Sequence, residues 1–126
     1  MLKKYIELES ITSKGLHILL TLETESEALL LDSEGFLTFT KNILAAKDVE
    51  IVGITNHIFE NQSFTAAVCL KESHLCIHTW PEFKQLTFDV FLCNYLQDNT
   101  AKVEKIADEF IQYFKAKTIQ KHKIYR

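Results

Sequence analysis

Lys71-Glu72-Ser73-His74-Leu75-Cys76-Ile77-His78-Thr79-Trp80-Pro81-Glu82 decides how the rest of this 126-residue chain is read. It holds the only Trp and the only Pro. Leu75 to Trp80 is an apolar run rich in β-branched and aromatic residues, opened by the charged Lys71-Glu72 pair and stopped by Pro81. That pattern predicts a strand with a turn at Ser73. Period-2 alternation puts His74, Cys76 and His78 on one face and Leu75, Ile77 and Thr79 on the other. The first face carries reactive groups and the second is ordinary core.

Working outward, Ser63 to Leu70 reads as the strand leading into this turn, and Val49 to Ile54, carried on through His57-Ile58-Phe59, as another before it. Leu86 to Cys93 alternates after it, so Cys93 shares a face with Asp89. Gly15 to Glu23 is apolar almost throughout, which predicts a strand buried on both faces. Two stretches carry helical periodicity. Asp32 and Ser33 offer capping oxygens before a helix at about 34–46, with Phe36, Phe39, Ile43 and Ala46 at helical spacing and Gly35 as a weak point. Asn99-Thr100 is a second cap pair, followed by the stripe Val103, Ile106, Ala107, Phe110, Ile111 and Phe114. Lys117 to Tyr125 alternates weakly, as an edge strand guarded by its lysines would. The expected fold is α+β: a two-layer sandwich of one largely antiparallel sheet with two helices packed on one face, residues 1–126 forming one domain.

Fourteen Lys and Arg stand against 17 Asp and Glu, a formal charge of −3. With no long basic stripe, this argues against a nucleic-acid binder. Cys69, Cys76 and Cys93 show no CxxC spacing and lie in apolar runs, so a disulfide framework is not expected. Met1 to Glu7 lacks the apolar core of a signal peptide, and no apolar run is long enough to span a membrane. A soluble, cytoplasmic protein is expected.

At Glu72-Ser73-His74, His78-Thr79-Trp80-Pro81-Glu82 and Asp89-Val90-Phe91-Leu92-Cys93 the chain resembles the prokaryotic S-adenosylmethionine decarboxylase family. Weaker similarity runs through His57-Ile58-Phe59 and Gly15-Leu16-His17. The resemblance implies a homodimer with active sites shared between protomers, and a self-cleaving proenzyme that decarboxylates S-adenosylmethionine to supply the aminopropyl donor for spermidine. Decarboxylating an α-amino acid needs an electron sink that no natural side chain supplies, and a carbonyl that condenses with the substrate amine provides one. In the family that carbonyl is a pyruvoyl group made from a serine. Carried over, Ser73 attacks the carbonyl of Glu72, the chain divides into 1–72 and 73–126, and the pyruvoyl group heads the second fragment. The resemblance makes His78 the acid/base of processing, Cys93 the proton donor to the substrate α-carbon, and Thr65 the hydroxyl that assists processing. It makes Phe59 the adenine-stacking aromatic and Glu82 the carboxylate for the ribose hydroxyls. Where the family commonly has glycines, this chain has Asn61-Gln62-Ser63-Phe64-Thr65-Ala66, Phe83-Lys84-Gln85 and Asn94, which restricts backbone angles near the site.

Other readings stand beside this one. The sink chemistry alone also suits a pyruvoyl-dependent decarboxylase of a free amino acid such as ornithine or arginine. The missing glycines suit an unprocessed, non-catalytic paralogue that binds a nucleoside or regulates an active partner. His74, Cys76 and His78 on one face invite a zinc hydrolase, but the sequence offers no fourth ligand, and no metal is expected.

Overall fold

The hairpin around Ser73 is the middle of a six-stranded sheet. The computed structural model describes residues 14–94 and 97–126; the lead from Met1 to Glu7 lies outside them. In chain order the elements are β1 (Leu16–Glu23), α1 (Glu27–Leu30), α2 (Ser33–Ala46), β2 (Ile51–Ile58), β3 (Phe64–Leu70), β4 (His74–Trp80), β5 (Gln85–Phe91), α3 (Thr100–Tyr113) and β6 (Lys117–Tyr125). A 3-10 turn at Pro81–Phe83 joins β4 to β5. The strand order is β2-β3-β4-β5-β1-β6 and every neighbouring pair is antiparallel.

Alternation sorts the sheet into a closed and an open face. Leu75 and Ile77 on β4, Phe64, Ala66 and Val68 on β3, and Leu86, Phe88 and Val90 on β5 are buried under α2 and α3. Phe36 on α2 packs against Phe64 and Phe110, with ring centroids 5.6 and 5.5 Å apart, so one aromatic joins the sheet to both long helices. The other face, carrying Leu19, Ala67, His74, Cys76, Asp89 and Phe91, has no helix over it and is half-exposed.

Several expectations shift in detail. β1 is not buried on both faces: Leu16, Ile18, Leu20 and Leu22 enter the core, while Leu19, Thr21 and Glu23 face the open side. Its continuous apolar run reflects a half-covered face. On α2 the buried line is Phe36, Thr40 and Leu44, with Phe39 and Ile43 beside it and Ala46 exposed. Thr40 is accommodated because its hydroxyl donates to the Phe36 carbonyl at 2.8 Å. Gly35 has a local use as well as a propensity cost: a Cβ there would press on the Asp32 carboxylate, which accepts the Gly35 N–H at 2.9 Å and caps the helix, so a side chain would have to displace the cap. α1, a single turn, had no periodicity long enough to announce it. The ladder of β5 stops at Phe91, so Cys93 lies just past the strand although the alternation of burial continues through Asn94.

Candidate functional site

The β3–β4 hairpin turns through Lys71, Glu72 and Ser73, closed by the Leu70 N–H donating to the Ser73 carbonyl at 3.0 Å. Ser73 is half-buried and Glu72 exposed. The Cys93 backbone N–H donates to Ser73 Oγ at 2.9 Å. Lys71, Glu72, Ser73 and Cys93 together line a cleft of 350 Å³. Cys93 is held in turn: Asn99 Nδ2 donates to its carbonyl at 2.9 Å, and Asn94 Oδ1 accepts the Asn99 N–H at 2.9 Å. Asn99 occupies the N-cap position of α3 without capping it. The side chain that reads as a cap in sequence is turned so that its Nδ2 serves the loop that carries Cys93, while its Oδ1, the atom a cap would use, is buried without a hydrogen-bond partner.

His78 is on β4 and on the same open face, but five residues away. At about 3.3 Å per residue that is roughly 16 Å from Ser73. Thr65 is its cross-strand partner on β3, and Thr65 Oγ1 lies 2.8 Å from His78 Nδ1. Beside this pair a pocket of 660 Å³ opens, lined by Phe59, Glu60, Thr65, His78, Trp80 and Glu82 among others. Phe59 is 46% exposed, so its ring is available to a ligand rather than committed to the core. Trp80 tilts against the His78 ring at 5.8 Å and adds a second exposed aromatic. The sequence singled out Phe59 and passed over Trp80, although alternation puts Trp80 on the same face as His78.

The predicted residues thus fall into two groups. Ser73, Glu72 and Cys93 meet at one end of β4, and His78, Thr65, Phe59 and Glu82 meet at the other. One protomer does not bring the groups together.

Between them the open face carries His17, His74 and Asp89, from β1, β4 and β5. Asp89 Oδ2 lies 2.7 Å from His17 Nε2 and 3.0 Å from His74 Nε2. These three, rather than His74, Cys76 and His78, are the converging metal-type ligands among the described residues. His74 turns to Asp89, His78 turns to Thr65, and Cys76 sits opposite Asp89 with its thiol pushed up by burial and by that carboxylate. The cluster draws on residues 17, 74 and 89, and no local spacing announces such a triad.

Two of the three glycine replacements leave a mark on the backbone. Gln62 and Lys84 take φ of 73° and 54°, left-handed angles that glycine adopts freely. Asn94 does not; it is buried, its amide donating to the Lys14 carbonyl at 3.1 Å.

Residues 16–126 match the family model described as S-adenosylmethionine decarboxylase. The chain belongs to that family. It is 32% identical over 101 residues to an S-adenosylmethionine decarboxylase proenzyme from Archaeoglobus fulgidus, covering 80% of this chain and 87% of that one. A proenzyme of the same description from Thermodesulfovibrio yellowstonii is 36% identical over 107 residues, covering 82% and 73%. One from Clostridium botulinum is 31% identical over 97 residues, covering 77% and 84%. The adenosylmethionine decarboxylase structure from Aquifex aeolicus superposes with a TM-score of 0.74 over 91% of this chain and 90% of that one. At 23% identity that likeness concerns the fold. That structure shares the layered α+β fold described above, and no helix among the described residues is long and apolar enough to cross a membrane.

Proposed function

We propose that this chain is a self-cleaving, pyruvoyl-dependent decarboxylase of S-adenosylmethionine that works as a homodimer. The observation that carries the reading is the hydrogen bond from the Cys93 N–H to Ser73 Oγ at the hairpin, inside a cleft that Cys93 also lines. An N–H donor aimed at the hydroxyl oxygen fixes the position of that oxygen, which supports its attack on the neighbouring Glu72 carbonyl. Attack breaks the Glu72–Ser73 amide and forms an ester; β-elimination releases Glu72 as a carboxylate and leaves a dehydroalanine, whose imine tautomer takes up water and releases ammonia to leave the pyruvoyl group at residue 73. The residues present fit that group, because Ser73 sits at an open turn where a new chain end displaces no core. Once formed, its carbonyl supplies the electron sink that unmodified side chains lack. Cys93, in the same cleft, is the donor that returns a proton to the substrate α-carbon.

His78 and the pocket beside it belong to the same reaction through a second copy. The open face is half apolar, with Leu19, Ala67 and Phe91 partly exposed and Ile124 at its edge, and it suits a like face. Isologous pairing gives each Ser73 end a partner His78 end, so one dimer completes two sites. His78, with Thr65 at 2.8 Å, then serves as acid/base during processing. Phe59 and Trp80 offer flat surfaces for an adenine, and Glu82 and Glu60 offer carboxylates for ribose hydroxyls and for the cationic end of the substrate. This aromatic and acidic pocket, with the family membership, supports S-adenosylmethionine over a free amino acid or a non-catalytic role.

Mixing tests the shared site. Ser73→Ala and His78→Ala chains each stay uncut as homodimers. Co-refolded, the His78→Ala chain is cut at Ser73, because its Ser73 meets the intact His78 of the other chain. Failure of both chains to cut after verified mixing would return His78 to its own protomer or remove it from processing.

A further inference from the structure

We propose that Asp89 and His17 are positioning residues for Ser73, acting through the ring of His74. The inference rests on the proposed self-cleavage at Ser73. A carboxylate oxygen accepts hydrogen bonds, so the 2.7 and 3.0 Å contacts to Asp89 Oδ2 place a donating N–H at Nε2 of both His17 and His74. One oxygen therefore ties together β1, β4 and β5 at their open face. His17 is buried to 7% exposure and its ring stands edge-on to His74, with centroids 5.1 Å apart, so the ring of His74 is fixed on two sides. Phe91 closes a third side at 5.8 Å.

His74 is the first residue of β4 and carries the amide nitrogen bonded to the Ser73 carbonyl. Pinning its side chain pins the downstream half of the turn. The Cys93 N–H pins the hydroxyl from the other side, two residues beyond Phe91, which pairs with both His17 and His74. Ser73 is held between these two tethers, which limit the positions its hydroxyl can take before attack on the Glu72 carbonyl. A bidentate metal reading is less suited: both nitrogens approach the same oxygen at hydrogen-bond distance, closer than the roughly 3.3 Å between ligands on tetrahedral zinc that bonds of 2.0–2.1 Å imply.

The test uses the full chain and two readouts. Cleavage at Ser73 is followed in parent, Asp89→Leu, His74→Leu and His74→Gln. Losing a hydrogen bond to a charged group slows cleavage about ten- to a hundredfold in the two leucine variants. Gln keeps a donor at the ε position but cannot exchange protons as imidazole does, so His74→Gln recovers most of the rate if His74 positions. His74→Gln as slow as His74→Leu overturns the proposal in favour of an acid/base role. The second readout is imidazole 15N–1H NMR of the uncut Ser73→Ala chain at mildly alkaline pH. A protonated Nε2 at His74 that becomes a tautomer mixture in Ser73→Ala/Asp89→Leu supports it. An unchanged tautomer, or displacement of both Nε2 protons by micromolar zinc, overturns it. Absence of cleavage in the parent itself would instead overturn the proposed function, and this inference with it.

Discussion

The two ends of β4 are built in different ways. At the Ser73 end the groups are small, half-buried and tied to backbone: a hydroxyl on the Cys93 N–H, and Cys93 and Asn94 held through Asn99. At the His78 end they are large and exposed, with Phe59, Trp80 and Glu82 around a pocket of 660 Å³. The first arrangement suits bond-making, which needs atoms held within a fraction of an ångström. The second suits recognition of a flat, charged ligand. Roughly 16 Å along one strand separates them, the distance that the proposed second copy would bridge.

Substitutions at each end should therefore fail differently. Ser73→Ala removes the attacking oxygen and little volume, so the chain stays folded and uncut; intact mass and circular dichroism check both, and cleavage at the same bond would refute the mechanism. Cys93→Ala leaves the backbone N–H that supports Ser73, so it should be cut yet lose about a hundredfold or more in decarboxylation, the usual worth of a positioned proton donor. Full activity in the cut variant would move that role elsewhere. At the other end, Phe59→Ala/Glu82→Gln should weaken S-adenosylmethionine binding by about one to three powers of ten, given roughly 0.5–1.5 kcal/mol for a stacked aromatic and 1.5–3 for a charge-assisted bond. Calorimetry on the cut protein measures this, and an unchanged affinity would detach the pocket from the substrate. The smallest effect concerns the loop bordering that pocket. Gln62→Gly relieves a left-handed residue and should raise unfolding stability by about 0.5–1 kcal/mol in denaturant titration, less than the full 1–2 kcal/mol penalty because glycine also loses more backbone entropy.

Much of the hairpin was legible because its signals are local. Pro81 cannot continue the ladder, Leu75 and Ile77 alternate with His74, Cys76 and His78, and the observed burial of β4 follows that alternation. The stripe of α3 was equally readable, since Val103, Ile106, Ala107 and Phe110 repeat at helical spacing and are all fully buried. Asn99 misled for a complementary reason. Its place before Thr100 has the chemistry of a cap, but the side chain is oriented by its Nδ2 bond to the Cys93 carbonyl, which leaves the capping oxygen Oδ1 without a partner. Gly35 misled similarly, since its cost inside a helix is visible in sequence and the Asp32 carboxylate packed against it is not.

The sequence by itself determined which residues alternate, where the chain turns and which chemical groups lie near Ser73 along the chain, because these depend on periods of two and 3.6 and on turn residues within a few positions. Only the tertiary structure decided that Ser73 meets Cys93 across 20 positions, that His17 and His74 share one oxygen of Asp89, and that Thr65 is the partner of His78. Those relations depend on strand order and register. β1 pairs with β5 although α1, α2 and three strands intervene, and such long-range pairing is selected by burying one whole face of the sheet rather than by any local pattern.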